Sequence, residues 1–243
     1  MDFLKALKLL TILPVPVDDD VLEIDRLSPW FPLAGAVTGG LLLLVYNILG
    51  LMFPEAVTGV FVVLFWVFIG GGRTIKGLCN WIKRSGSAKN ETLVESILYA
   101  SLVIVAIVLL KSVIIADLKW QFLSKALILA PIAGSWGIVI AMAPGFSLQP
   151  EEEGIAAFVK RVMIQKEVIY ASVAALGLSL ILSGFTGLVL FIFCGCVMFL
   201  ISAVSFRISG AISLESAYSV GEVGELFILM MVMILMKLFI MGY

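Results

Sequence analysis

The sequence has no histidine among its 243 residues, and that one absence removes several chemistries at once. A Ser-His-Asp triad, a Cys-His pair, a histidine-ligated haem and an HExxH zinc site all need an imidazole. Cysteine is almost as scarce. Cys79, Cys194 and Cys196 make no CxxC and the last two lie in an apolar run, so neither a disulfide framework nor a thiolate metal site is expected. Charge is thin too, at 14% of residues with a net of −1, which argues against nucleic acid as a partner. Catalysis is left with carboxylates, Lys, Arg, hydroxyls or an oxygen-bound metal such as Mg2+. What fills the chain is apolar: 62% hydrophobic residues and a mean hydropathy of +1.16, more than a soluble fold of this length uses.

The apolar residues fall in runs long enough for membrane helices at 1.5 Å per residue. Seven spans are expected, at about Phe31–Phe53, Val57–Gly72, Leu93–Ile115, Ala126–Met142, Val168–Leu182, Gly187–Val204 and Glu222–Met241. The fifth and sixth are separated by Ser183-Gly-Phe. Gly35, Gly39 and Gly40 lie on or near one face of the first span and suit close helix contact. Residues 1–12 form a short amphipathic piece with Lys5 and Lys8 on its wet side, too short to span and without a small-residue cleavage site. Pro150 and Glu151–Glu153 mark a helix start, followed by an interfacial helix over 154–166. The Met-rich last span reads as packing filler. No linker or internal repeat divides the chain. The expected fold is all-α, a polytopic membrane helix bundle with short interfacial helices, in one domain over 1–243.

The Lys and Arg residues give an orientation. With the N-terminus inside, 12 of the 16 fall in inner segments, against Lys111, Lys119, Lys125 and Lys237 outside. That split places the N-terminus, residues 73–92, the 145–167 loop and the 205–221 loop on the cytoplasmic side of the plasma (cell inner) membrane.

Two polar clusters stand out. The stretch Gly70–Ser87 places Lys76, Asn80 and Lys83 at i, i+4 and i+7, one face of a helix, behind Gly70, Gly71 and Gly72. Glycines that accept φ > 0 and a cationic face at a membrane exit suit a phosphate group. They equally suit a solvated loop. Glu215, Glu222 and Glu225, spaced by seven and three, share a face where the last span begins. Three carboxylates there could hold Mg2+ through oxygen or neutralise Lys76 and Lys83 across one cytoplasmic vestibule.

The chain also resembles, in order and along almost its whole length, the cobalamin synthase family, the adenosylcobinamide-GDP ribazoletransferases. Leu10-Thr11 with Pro14-Val-Pro16 is similar to the family's L-T-x-x-P-x-P. Phe31-Pro-Leu-Ala-Gly35 is similar to its F-P-L-x-G. Leu129-Ala-Pro131 with Gly134 resembles L-A-P-x-x-G. Ser213 through Glu225 resembles T-G-D-x-x-G-x-x-x-E-x-x-E, with Glu215 at the Asp position. The family's acidic motif D-G-L-A-D-x-x-D-G is matched only at glycines and Leu78; Lys76, Asn80 and Lys83 stand at its three Asp positions. Thr74 stands at its histidine, Glu95 at one arginine and Ser135 at another.

The resemblance implies a transferase that joins α-ribazole, or its 5′-phosphate, to adenosylcobinamide-GDP. A ribose hydroxyl displaces GMP, with Mg2+ held by the acidic motifs. Carried over by position, the catalytic candidates are Lys76, Asn80 and Lys83. The substrate-binding candidates are Gly71, Gly72, Gly77 and Arg73, and the metal candidates are Glu215, Glu222 and Glu225. Expected partners are membrane lipid, corrinoid and nucleotide small molecules, and a second copy or another membrane subunit. Two alternatives stay open: a family-derived membrane protein that binds a corrinoid, nucleotide or partner without turnover, and a small transporter.

Overall fold

The computed structural model describes residues 2–16, 24–73, 77, 93–142, 165–209 and 214–241, and every regular element among them is helical. In chain order these are α1 (Asp2–Leu10), α2 (Ile24–Leu27), a 3-10 turn (Ser28–Trp30), α3 (Phe31–Gly50) and α4 (Glu55–Ile69). After a gap come α5 (Leu93–Asp117), α6 (Trp120–Ala141), α7 (Gln165–Ser209) and α8 (Leu214–Met241). Among the described residues four stretches are long and apolar enough to cross a membrane: Ser28–Gly50, Trp120–Ala141, Lys166–Arg207 and Ser216–Ile240. The protein is therefore a multi-pass membrane protein.

α7 is far too long for one crossing: 42 apolar residues would run roughly 63 Å, twice a hydrocarbon core. It breaks at Gly184, whose φ of 61° and ψ of −149° lie in a region essentially reserved for glycine. The chain reverses there. The Trp136 indole donates to Ser172 Oγ at 3.0 Å and stacks on Phe191 with ring centroids 5.8 Å apart. Ser172 and Phe191 would be roughly 28 Å apart on an unbroken helix. The limbs 165–183 and 185–209 thus form a helical hairpin, with its turn at the expected Ser183-Gly-Phe.

α6 is the centre of the bundle, buried at every residue from Leu129 to Ala141. α3, α7 and α8 pack around it. Lipid gives no hydrophobic drive to helix association, so close backbone approach through small residues takes its place. A Cβ on Gly35 would collide with the Pro131 carbonyl and Ser135 Oγ. One on Gly39 would stand 2.6 Å from Ile128 Cα and 2.8 Å from the Leu127 carbonyl. On the other flank a Cβ at Gly221 would stand 2.6 Å from the Gly134 carbonyl. The expected glycine face of the first span is thus real for Gly35 and Gly39 but excludes Gly40, which has nothing within 4 Å.

Other expectations shift. The second apolar run yields only the 15-residue α4. α6 begins at Trp120, six residues before the expected span, so Lys125 lies in its second turn. α8 begins at Leu214, eight residues early, which carries Glu222 and Glu225 two to three turns inside the helix. Lys111, expected in an exterior segment, lies inside α5 and is only 3% exposed. The 154–166 interfacial helix lies outside the described residues.

Gly39→Leu should cost at least about 1–3 kcal/mol through overpacking against the α6 backbone. Its melting temperature in detergent should fall clearly below wild type, while Gly40→Leu melts with wild type. Equal melting of the two variants would contradict this helix contact.

Candidate functional site

α4 ends in a glycine cap. The amides of Gly70, Gly71 and Gly72 donate to the carbonyls of Trp66, Phe68 and Val67 at 3.1, 2.9 and 3.2 Å. Gly71 and Gly72 have φ of 64° and 65°, the left-handed conformation that closes a helix C-terminus and that a side chain would resist. The cap turns the chain back towards α1, where the Ile12 amide donates to the Ile69 carbonyl at 2.8 Å and Arg73 Nη1 donates to the Leu9 carbonyl. Arg73 is thereby held over the end of the bundle.

Beneath it lies a cavity of about 70 Å³. Arg73, Lys111, Glu222 and Glu225 are its charged walls among the described residues, joined by Trp66, Tyr218, Ser135 and Gly134. Its centre is an ion triad. Lys111 Nζ lies 2.5 Å from Glu222 Oε1 and 2.6 Å from Glu225 Oε2. The Trp66 ring covers the ammonium at 4.3 Å from the ring centroid. Glu222 and Glu225 are 7% and 8% exposed. An isolated charge in this setting would be expensive; three in contact satisfy one another. Two positive and two negative groups line the cavity, so its described charges sum to zero.

The helical spacing expected of the carboxylates holds: Glu222 and Glu225 reach one ammonium from one face of α8. Glu215 is in the first turn of α8, with its side chain outside the described residues. Lys76, Asn80 and Lys83 lie outside the described residues, and so does their expected approach to the carboxylates. Arg73 lines the cavity and Gly71 and Gly72 shape the turn that places it, whereas Gly77 is buried and does not line it. Lys111 was missed as a site residue because it was counted as a lysine near a span end. The signal was present: it is the one charge between Glu95 and Asp117, in a run where a lone cation needs a partner. Trp66 carried no such signal, being one aromatic in an apolar helix.

The chain has counterparts in sequence among known proteins. The sequence profile of the cobalamin-5-phosphate synthase family matches residues 2–233. The chain belongs to that family. It is 32% identical over 197 residues to the adenosylcobinamide-GDP ribazoletransferase of Roseiflexus sp. (strain RS-1), covering 76% of this chain and 71% of the relative. The protein of that name from Acetivibrio thermocellus is 28% identical over 203 residues, covering 78% and 82%. The one from Caldanaerobacter subterraneus subsp. tengcongensis is 29% identical over 156 residues, and the match spans 63% of that relative's length. No solved structure matches the chain.

Four segments that carry the family resemblance converge on this cavity. Leu10, Gly35, Pro131 with Gly134, and Glu222 with Glu225 all line it. They are scattered over more than 200 residues of sequence and meet at one place in the bundle.

Lys111→Met leaves two buried carboxylates without their cation and should cost about 3–5 kcal/mol. The neutral triple variant Lys111→Met/Glu222→Gln/Glu225→Gln should recover most of that loss. Thermal unfolding in nanodiscs checks both, and a Lys111→Met protein melting with wild type would show the triad to be energetically idle.

Proposed function

We propose that this protein is a ribazoletransferase of the family's type, joining α-ribazole or its 5′-phosphate to adenosylcobinamide-GDP with release of GMP. The observation that carries the reading is the convergence of four family motif segments on one charged cavity. The bundle would cross the membrane seven times, the α7 hairpin supplying two crossings. The N-terminus and residues 73–92 would face the cytoplasm. Twelve Lys and Arg on that side against three on the other support this, Lys111 having dropped from the four counted outside.

Ligand sites are usually about 300–1,000 Å³, several times this cavity. The reading therefore puts only the reacting diphosphate end inside, with corrinoid and nucleotide bodies outside at the bilayer face. Displacement at phosphorus calls mainly for positioning and charge neutralisation. Arg73 is the group suited to the diphosphate. Its planar guanidinium matches phosphate oxygens bidentately, and its bond to the Leu9 carbonyl fixes its approach. Glu222 and Glu225, the carboxylates on the cavity wall among the described residues, are placed to accept the proton of the attacking ribose hydroxyl.

Mg2+ is the cofactor the family resemblance implies. When bound it would neutralise the diphosphate and align attacking and leaving oxygens. The described residues do not fit it. They hold no cluster of three or more acidic, Cys or His side chains able to take a metal, and Lys111 occupies the space between Glu222 and Glu225.

Purified protein in nanodiscs, given adenosylcobinamide-GDP with α-ribazole or its 5′-phosphate, should release GMP. Arg73→Gln should slow release by roughly 10²-fold, the scale of losing one charge-stabilising donor. Folded protein that releases no GMP above a no-protein control, with or without Mg2+, would overturn the reading.

A further inference from the structure

We infer that the Lys111 ammonium permanently holds the place of a metal cation between Glu222 and Glu225, making the pair an internal ion triad closed to divalent ions. The inference rests on the triad's geometry and assumes nothing about the transfer reaction.

Three observations carry it. First, the ammonium is where a bridging cation would sit. Nζ reaches one oxygen of each carboxylate, at 2.5 and 2.6 Å, only about half an ångström longer than Mg–O bonds of ~2.0–2.1 Å. A second cation there would meet both the ammonium's volume and its charge. Second, the ammonium is not displaced cheaply. Lys111 is 3% exposed, Trp66 covers it from α4, and its own backbone lies well inside α5. Swinging it aside means burying the charge elsewhere. Third, Glu225 is boxed in on one side. A Cβ added at Gly134 would stand 2.5 Å from Glu225 Cγ and 2.6 Å from Oε1, so α6 already lies against that side chain. Mg2+ demands near-octahedral oxygen ligation, and on this side the α6 backbone denies Glu225 the approach of further ligands.

The charges agree. Arg73 and Lys111 balance Glu222 and Glu225 on the cavity wall, so the described site is neutral without a metal. A divalent ion would bring two uncompensated positive charges into the bundle interior. Removing the Lys111 charge reverses this, leaving the described wall at a net −1 with the two carboxylates open to a cation.

The test uses Mn2+ as a paramagnetic probe, with full-length protein in nanodiscs. Bound Mn2+ is counted by electron paramagnetic resonance, and melting is followed with and without Mn2+. Wild type and Lys111→Met/Glu222→Gln/Glu225→Gln should bind the same number of Mn2+ ions per chain, and Mn2+ should not raise the wild-type melting temperature through this pair. Lys111→Met should gain one Mn2+ per chain and be stabilised by it, as a ligand that binds only the folded state must do. A wild type that binds one more Mn2+ than the triple variant overturns the inference. So does a folded Lys111→Met protein that gains none. Should Lys111→Met fold only when Mn2+ is present, that rescue is the expected gain; should it not fold at all, the comparison of wild type with the triple variant decides.

Discussion

A single ammonium inside an apolar bundle sets the terms for the rest of this structure. Lys111 must be neutralised where it stands, because it is only 3% exposed and lipid offers nothing. Two carboxylates from α8 and an aromatic face from α4 do so, and the requirement fixes three helices relative to one another. α5 depends on it most. Its flank at Leu98, Leu102, Val105, Leu109 and Val113 is exposed, so its hold on the bundle comes from the opposite side, where Lys111, Ser112, Ile114 and Ile115 are buried. At the far end Lys237 meets Asp117 at 3.0 Å. That pair is about half exposed and adds little energy, but it repeats the same α5–α8 register.

The cavity follows from how its central helix is approached. α6 contributes Gly134 and Ser135 where larger residues would fill the space, and α3 and α8 meet it through Gly35 and Gly221. Close backbone approach brings three helices within reach of one small volume, and the lack of a side chain at Gly134 lets Glu225 lie flat against α6. The glycine cap of α4 then brings Arg73 over the opening. The same economy of side-chain volume that lets these helices associate without a hydrophobic drive leaves a polar pocket among them.

Much of this was legible in the sequence, and the failures have physical causes. Apolar run length located the helices, because a bilayer demands it, and Ser183-Gly-Phe showed the hairpin turn because only glycine tolerates the conformation Gly184 adopts. Run length could not place the ends of α6 and α8, since a membrane helix continues past its apolar core into polar residues. That one error put Glu222 and Glu225 at a helix start and hid their burial. The count of cations by side then failed at Lys111 for a related reason: the positive-inside rule weighs loop charges, and a lysine buried in a span obeys a pairing rule instead. Which cation would face the carboxylates could not be read from spacing along one helix, because the partner came from another.

The triad also bears on how this chain differs from what its family resemblance implies. Sequence position puts Lys76, Asn80 and Lys83 where that resemblance calls for aspartates. Lys111 sets an ammonium between two carboxylates, the position a bridging cation would take. A tethered ammonium carries half the charge of Mg2+ and offers three donors in place of octahedral ligation. It can hold carboxylates in register, but it cannot align an attacking and a leaving oxygen as a metal does. A group with directional geometry is a different kind of donor. Among the described residues on the cavity wall that is Arg73, whose planar fork is pinned by α1. α1 and the glycine turn therefore belong to the cavity as fully as the buried charges do, because they hold Arg73 on its wall.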